Sequence, residues 1–266
     1  MSQAEQARRA AVLGHPIGHS LSPALHRAAY QELGLPWTYE ALDVMADDVA
    51  NFVSACGPEW TGLSLTMPLK EAVLPVLDTR TPVVELTQAA NTVVFDNGLK
   101  SGHNTDVSGI VSALQERHVV SIDSATILGS GATARSAMVA LHEMGSRECA
   151  VVARDGESSQ RMRDLGALLG LVVDIVPWSQ GSAVLDRPVV MNTAPAEVAG
   201  QLTPPQEAGF LFDAIYHPWP TPLASNWAGE VLSGLDLLVH QALGQVELMT
   251  GARVPIAVLR AALDRI

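Results

Sequence analysis

Along this chain, short apolar runs alternate with stretches in which apolar residues recur every three or four positions. The runs predict strands and the spaced pattern predicts helices. Residues 10–13 read as a first short strand ending at Gly14. Ser22 is placed to cap a helix over 23–33, with Pro23 in its first turn and Gly34 as its stop. Residues 37–44 read as a second strand, and Val49, Phe52, Val53 and Cys56 fall on one helical face. Residues 63–65 form a short strand and 70–77 a helix bent at Pro75. Residues 91–95 and 99–101 flank Asp96-Asn97-Gly98, a hairpin turn signal.

From Asp106 the alternation becomes plainer. Val107, Ile110, Val111 and Leu114 mark a helix face; then come a strand at 125–128, a helix at 132–144, a strand at 148–153, a helix at 159–169 and a strand at 171–176. Two further strands are expected at 189–192 and 211–215, and a tail at 237–263 reads as helix interrupted near Gly251 and Pro255. Such alternation belongs to the α/β class, with mostly parallel sheets covered by helices. The change of pattern at Asp106 places a domain boundary there.

Composition narrows the function. Of 266 residues 48% are apolar and 17% charged, as in an ordered globular protein with ample core. The net charge of −12 argues against nucleic acid as a partner, because phosphate backbones need clustered Lys and Arg. A small anion remains compatible, since a local pocket can be basic on an acidic protein. The two cysteines, Cys56 and Cys149, read as small hydrophobes in a reducing cytoplasm. The polar start, residues 1–9, shows no signal peptide, and no apolar run reaches the roughly 18 residues of a membrane span. The eight histidines are scattered, and no metal site is expected.

Chemistry concentrates in three peptides. Gly129-Ser130-Gly131-Ala132-Thr133-Ala134 has the form G-x-G-x-x-A between an apolar strand and a helix, the setting of a dinucleotide-binding turn. The next strand ends in Arg154-Asp155, where an arginine favours a ribose 2′-phosphate and an acid favours a free 2′-hydroxyl. The two neighbours point opposite ways; Arg154 can grip a phosphate and stack on adenine, or pair with Asp155 at the surface. The other two peptides are 62–70, ending in Lys70, and 102–106, ending in Asp106. A lysine and an aspartate beside a nicotinamide suit proton transfer coupled to hydride transfer. Burial lowers a lysine pKa from about 10.4 and a nearby carboxylate raises it, and the sequence leaves that balance open. By itself Lys70 is also compatible with an exposed first-turn residue and Asp106 with a helix cap. Ser20 and Ser22 flank the first helix start, where hydroxyls and amides can bind a carboxylate. Asn91, Thr92, Asn104 and Thr105 sit at strand ends, where such residues satisfy turns or bind hydroxyls. Gln241 lies on the apolar tail helix, at its exposed edge or aimed into a site.

Together these peptides resemble the shikimate dehydrogenase family. The matching segments are 14–23, the Lys70 and Asp106 peptides, Ala90-Asn91-Thr92, the Gly129 turn, 213–218 running into Thr221-Pro222-Leu223, and Gln241-Ala242. They occur in family order from about residue 10 to residue 251. The resemblance implies two α/β domains with a cleft between them. A mixed-sheet substrate-binding domain would comprise 1–105 plus 237–266, and a Rossmann-like NAD(P)-binding domain 106–236. It implies reversible NADPH-dependent reduction of 3-dehydroshikimate to shikimate, on the route to chorismate and aromatic amino acids, by a cytoplasmic monomer or homodimer. Carried over by position, Ser20, Ser22 and Tyr216 face the substrate carboxylate, and Thr66, Asn91, Asp106 and Gln241 its hydroxyls. Lys70 is the acid/base with Asp106 as partner, residues 129–134 bind the pyrophosphate, and Arg154 the 2′-phosphate. The chain departs from the family at Ser64, usually asparagine; at Ala132, usually glycine; at Ser158, where a second arginine is common; and at Asp236-Leu237, usually Gly-Met. Alternatives are an NAD-dependent quinate/shikimate dehydrogenase and a non-catalytic dinucleotide-binding regulator.

Overall fold

The structure, a computed structural model, describes residues 7–265, so most of the polar start at 1–9 lies outside the described residues. The chain divides into two compact units, Met1–Thr105 with Leu238–Ile266, and Asp106–Leu237.

The first unit contains β1 (Arg9–Gly14), α1 (Ser22–Glu32), β2 (Thr38–Asp43), α2 (Val49–Ala55), β3 (Trp60–Leu65), α3 (Leu69–Ala72), β4 (Thr79–Arg80), α4 (Pro82–Thr87), β5 (Thr92–Asp96) and β6 (Leu99–His103). Its sheet has the order β2-β1-β3-β5-β6-β4. β1 runs parallel to β2 and β3, whereas β5 is antiparallel to β3 and to β6. The reversal is made by Asn97-Gly98, whose φ values of 49° and 84° are the left-handed pair that a two-residue hairpin needs.

The second unit contains α5 (Asp106–Glu116), β7 (Ser124–Leu128), α6 (Ala132–Glu143), β8 (Glu148–Val152), α7 (Glu157–Leu169), β9 (Val172–Val176), β10 (Val189–Asn192), α8 (Ala196–Ala199), β11 (Phe210–Asp213), α9 (Pro222–Ser225) and β12 (Val231–Ser233). Its sheet, β12-β11-β10-β7-β8-β9, is parallel throughout. The chain runs outward from central β7 to β8 and β9, then returns to build β10, β11 and β12 on the other side. That reversal puts a topological switch point at the end of β7, where open parallel sheets bind ligands. Two tail helices follow, α10 (Gly234–Thr250) and α11 (Ile256–Leu263), and from Leu238 onward they belong to the first unit.

In the first unit helices cover both sheet faces, so β3 is buried along its whole length. One face packs Leu13, Leu63, Leu65, Val49, Val53 and Leu69. The other packs Ala10, Val12, Tyr30, Tyr39 and Met249. Met249 of α10 lies so close to Gly62 that a Cβ there would stand 2.7 Å from its Cγ. That approach brings the polar residues of α10 down onto the sheet.

Three local expectations are corrected. Residues 70–77 are not one bent helix: α3 spans four residues and a 3-10 turn, Leu74–Val76, follows. Pro75 lacks the N–H that would continue the ladder, and Val76 N instead donates to Val73 O at 3.1 Å. Ser22 is not the cap of α1 but its first residue. The carbonyl of Leu21 accepts from Ala24 N at 3.1 Å, so the ladder starts one residue earlier, and no side chain caps it. The 63–65 strand begins at Trp60, since Thr61 and Gly62 are buried with it. Five short elements, β4, α4, α8, α9 and β12, carry too few residues to show a period.

Candidate active site

Sheet register gathers the first group of residues. Ser64 of β3 pairs with Thr92 of β5, which pairs with His103 of β6. Thr66 follows this row on one strand, Asn91 precedes it on the next, and Asn104-Thr105 follow it on the third. Three separate peptides are therefore delivered to one edge of the sheet. Thr66 N donates to Leu13 O at 2.9 Å, and its carbonyl accepts from Leu69 N at 2.8 Å. That turn starts α3 and sets Lys70, half-buried, on its second position. The Lys70 carbonyl accepts from Ala90 N at 2.8 Å, which ties the lysine peptide to the residue before Asn91.

Asn91 is 1% exposed and is the hub of the edge. Its Oδ1 accepts from Thr105 N at 2.9 Å and from Thr92 Oγ1 at 2.8 Å. Its Nδ2 donates to Thr105 Oγ1 at 2.9 Å and to Gln241 Oε1 at 3.4 Å. Gln241 is thus buried beside Asn91 rather than exposed at a helix edge, and its Nε2 donates to Leu238 O at 3.0 Å. Asn104 takes the turn-satisfying role, donating through Nδ2 to Thr87 Oγ1 and Ala89 O, both at 3.1 Å. Thr105 leads directly into Asp106, the buried first residue of α5.

The segment between β1 and α1 is held by Asp43. His15 Nδ1 lies 2.6 Å from Asp43 Oδ1, and Ile17 N donates to Oδ2 at 3.4 Å. The hydrogen bond from His15 is the main reason the Asp43 carboxyl is held below its ordinary pKa. Ser20 is half-buried and Ser22 buried, and the Ser22 amide donates to Ser20 Oγ at 3.4 Å. The Ser20 hydroxyl thus lies beside the first amide of α1, although the helix has no side-chain cap.

In the second unit the glycine turn follows β7. Gly129 has φ +106°, and a Cβ on it would stand 2.8 Å from Thr193 Oγ1, so both backbone and space call for glycine. Gly131 is the cap residue of α6 and no side chain caps that helix start, where backbone amides favour an anion. Ser130 Oγ donates to Ser158 Oγ at 2.9 Å across the turn. Ala132 and Thr133 are half-buried, and Ala134 is fully buried in the helix.

Arg154 and Asp155, the two neighbours with opposite implications, have separate employment. Asp155 Oδ1 accepts from Gly156 N at 3.1 Å and stands 3.7 Å from Arg163, so its carboxylate serves the start of α7. Among the described residues no ion pair is formed between Arg154 and Asp155, and Arg154 is exposed at the end of β8. Tyr216, half-buried, belongs to a segment pinned at both ends by buried Asp213. That carboxylate accepts from Asn192 Nδ2 at 2.9 Å, Ile215 N at 3.1 Å and Thr221 Oγ1 at 2.6 Å. Burial pushes its pKa up, against the opposing effect of these donors.

A buried polar chain escaped the sequence reading. Tyr39 OH donates to Ser64 Oγ at 2.6 Å, and Ser64 Oγ donates to Gln245 Oε1 at 2.8 Å. His26 Nε2 lies 3.2 Å from the same Oε1, and the His26 ring stacks on Tyr39 at 4.0 Å. Gln245 Nε2 donates to Asn91 O at 3.1 Å and Thr92 Oγ1 at 3.0 Å. Its signal was available: Gln245 stands one turn beyond Gln241, on the same face of an apolar helix.

A mixed α/β unit with a polar, lysine-bearing edge, joined to a parallel sheet with a glycine turn at its switch point, defines a dinucleotide-linked oxidoreductase of the α/β class. Residues 12–93 match the shikimate dehydrogenase substrate binding domain, and residues 234–263 the shikimate 5′-dehydrogenase C-terminal domain. A shikimate dehydrogenase (NADP(+)) of Oleidesulfovibrio alaskensis is 35% identical, over 94% of this chain and 92% of that one. Mycobacterium tuberculosis shikimate dehydrogenase superposes with a TM-score of 0.86 at 41% identity, covering 97% of this chain and 100% of that one. The Thermus thermophilus shikimate 5-dehydrogenase in complex with NADP(H) and shikimate gives 0.83 at 31%, covering 97% and 99%. The chain belongs to the shikimate dehydrogenase family. Among the described residues no helix is long and apolar enough to cross a membrane.

Proposed function

We propose that this chain catalyses the reversible NADPH-dependent reduction of 3-dehydroshikimate to shikimate. The observation that carries the reading is the stitching of the two ionisable peptides through Asn91. The Lys70 carbonyl is held by Ala90, Asn91 follows, and the Asn91 amide holds Thr105, the residue before Asp106. Two separate peptides that each end in an ionisable group thus share one polar anchor, beside a chain that belongs to a dehydrogenase family.

The residues fit NADP. The start of α6 at Gly131 has no side-chain cap, Arg154 is exposed, and Asp155 Oδ1 accepts from Gly156 N beside it. Residues 129–134 would hold the pyrophosphate and Arg154 the 2′-phosphate; when bound, the reduced nicotinamide supplies the hydride. Lys70 donates the proton to the substrate oxygen as it gains charge, and Asp106 orients the ammonium. Asn91, Thr66 and Gln241 bind ring hydroxyls and fix which carbon faces the cofactor, while Ser20, Ser22 and Tyr216 receive the carboxylate. Cys56 and Cys149 are both free, which fits a reducing compartment such as the cytoplasm. An assay matrix, shikimate and quinate each with NADP⁺ and NAD⁺, tests the reading. Turnover is expected to be highest for shikimate with NADP⁺; turnover with quinate and NAD⁺ alone, or with none of the four, overturns it.

A further inference from the structure

The polar chain behind the Asn91 edge has only one direction. Asn91 O is a carbonyl and can only accept, so the end of the Gln245 side chain 3.1 Å away is Nε2. Gln245 Oε1 must then face His26 and Ser64, and it accepts from both. The second proton on Nε2 goes to Thr92 Oγ1, so the Thr92 hydroxyl points its own proton at Asn91 Oδ1, 2.8 Å away. That choice leaves Asn91 Nδ2 facing Gln241. Each member decides the next, and Tyr39, Ser64, Gln245, Thr92 and Asn91 are all at least nine-tenths buried, out of competition with water. Gln245, 1% exposed, bonds both to Ser64 and Thr92 of the sheet row and to the Asn91 carbonyl.

We infer that Gln245 is a positioning residue for substrate recognition: through Thr92 and the Asn91 carbonyl it sets the Asn91 amide so that Nδ2 is presented as a donor beside Gln241. The inference rests on the reading that Asn91 and Gln241 bind substrate hydroxyls. Both ends of the Gln245 amide are spent on protein partners. Without it the Thr92 hydroxyl is free to rotate, and Thr105 N remains as the second anchor of Asn91 Oδ1, so recognition weakens rather than disappears.

The test uses the full chain and Gln245→Met, which keeps the volume and removes all four hydrogen bonds. The expected result is a rise of about tenfold in both KM and Kd for shikimate, the second by calorimetry, with KM for NADP⁺ nearly unchanged. A role confined to packing would lower melting temperature and leave that split absent. In a double-mutant cycle, Gln245→Met should add less than about twofold to Asn91→Ala, because both act on one group. Ser64→Ala, which removes one upstream donor, should give a smaller rise and serves if Gln245→Met does not fold. An unchanged shikimate Kd, or full additivity with Asn91→Ala, overturns the inference. Absence of wild-type turnover with NADP⁺ would instead overturn the functional reading, and the Kd arms would still decide on Gln245.

Discussion

Replacing Arg154 by alanine isolates the term that distinguishes the two nicotinamide dinucleotides, a single 2′-phosphate. A hydrogen bond to a charged group contributes about 1.5–3 kcal/mol when both partners are held. Arg154 stands exposed at the end of β8, so water and salt screen it, and the low end of that range applies. About 1.4 kcal/mol is a factor of ten, so Arg154→Ala should raise KM for NADP⁺ about tenfold. The neighbour sharpens the expectation. Asp155 is exposed, with Oδ1 bonded to Gly156 N, and the substitution leaves it in place, so KM for NAD⁺ should stay within about twofold. The assay is steady-state shikimate oxidation with each cofactor at two ionic strengths, and the wild-type advantage with NADP⁺ should shrink in high salt. Equal losses with both cofactors would refute a 2′-phosphate contact and point to adenine stacking.

Two further outcomes follow from buried groups. Burial lowers the His26 pKa from 6.5 to about 4, against a smaller opposing effect of the Gln245 hydrogen bond. Because the folded value is depressed, the unfolded chain binds the extra proton first. Stability is therefore full above about pH 6.5 and falls toward pH 4, by about 3 kcal/mol. Urea unfolding across that window should show the slope in the wild type and lose it in His26→Phe; an identical slope in both removes His26 as the cause. Gly129→Ala forces a side chain onto φ +106° and against Thr193, which costs about 1–3 kcal/mol in thermal unfolding and raises KM for NADP⁺ and NAD⁺ alike. Unchanged cofactor KM values would contradict the turn's assignment.

The strands that are continuous apolar runs were legible: β10 lies at 189–192 as expected, and the shift of β3 from 63 to Trp60 only lengthens a buried strand. Helix faces at 106–116 and 132–143 were equally plain. Periodicity fails for elements of two to six residues, yet α4 was marked by Thr81-Pro82, a cap position followed by a proline at the helix start. The site was legible residue by residue but not as an arrangement. Ser20, Asn91 and Gln241 were named from their positions, whereas the hub at Asn91 depends on the register Ser64–Thr92–His103, which no linear pattern encodes. Arg154 and Asp155 were ambiguous side by side and separate only when the carboxylate is seen bonded to Gly156 N at the approach to α7. Gln245 and His26 went unread because a polar residue in an apolar helix can be an edge or a core hydrogen bond, and burial decides.

The central claim is that Lys70 delivers the proton, and the direct measurement is kcat of Lys70→Ala for shikimate oxidation. The account predicts a fall of about 10²–10⁴ with only a modest change in KM for shikimate. Turnover at the wild-type rate would contradict it.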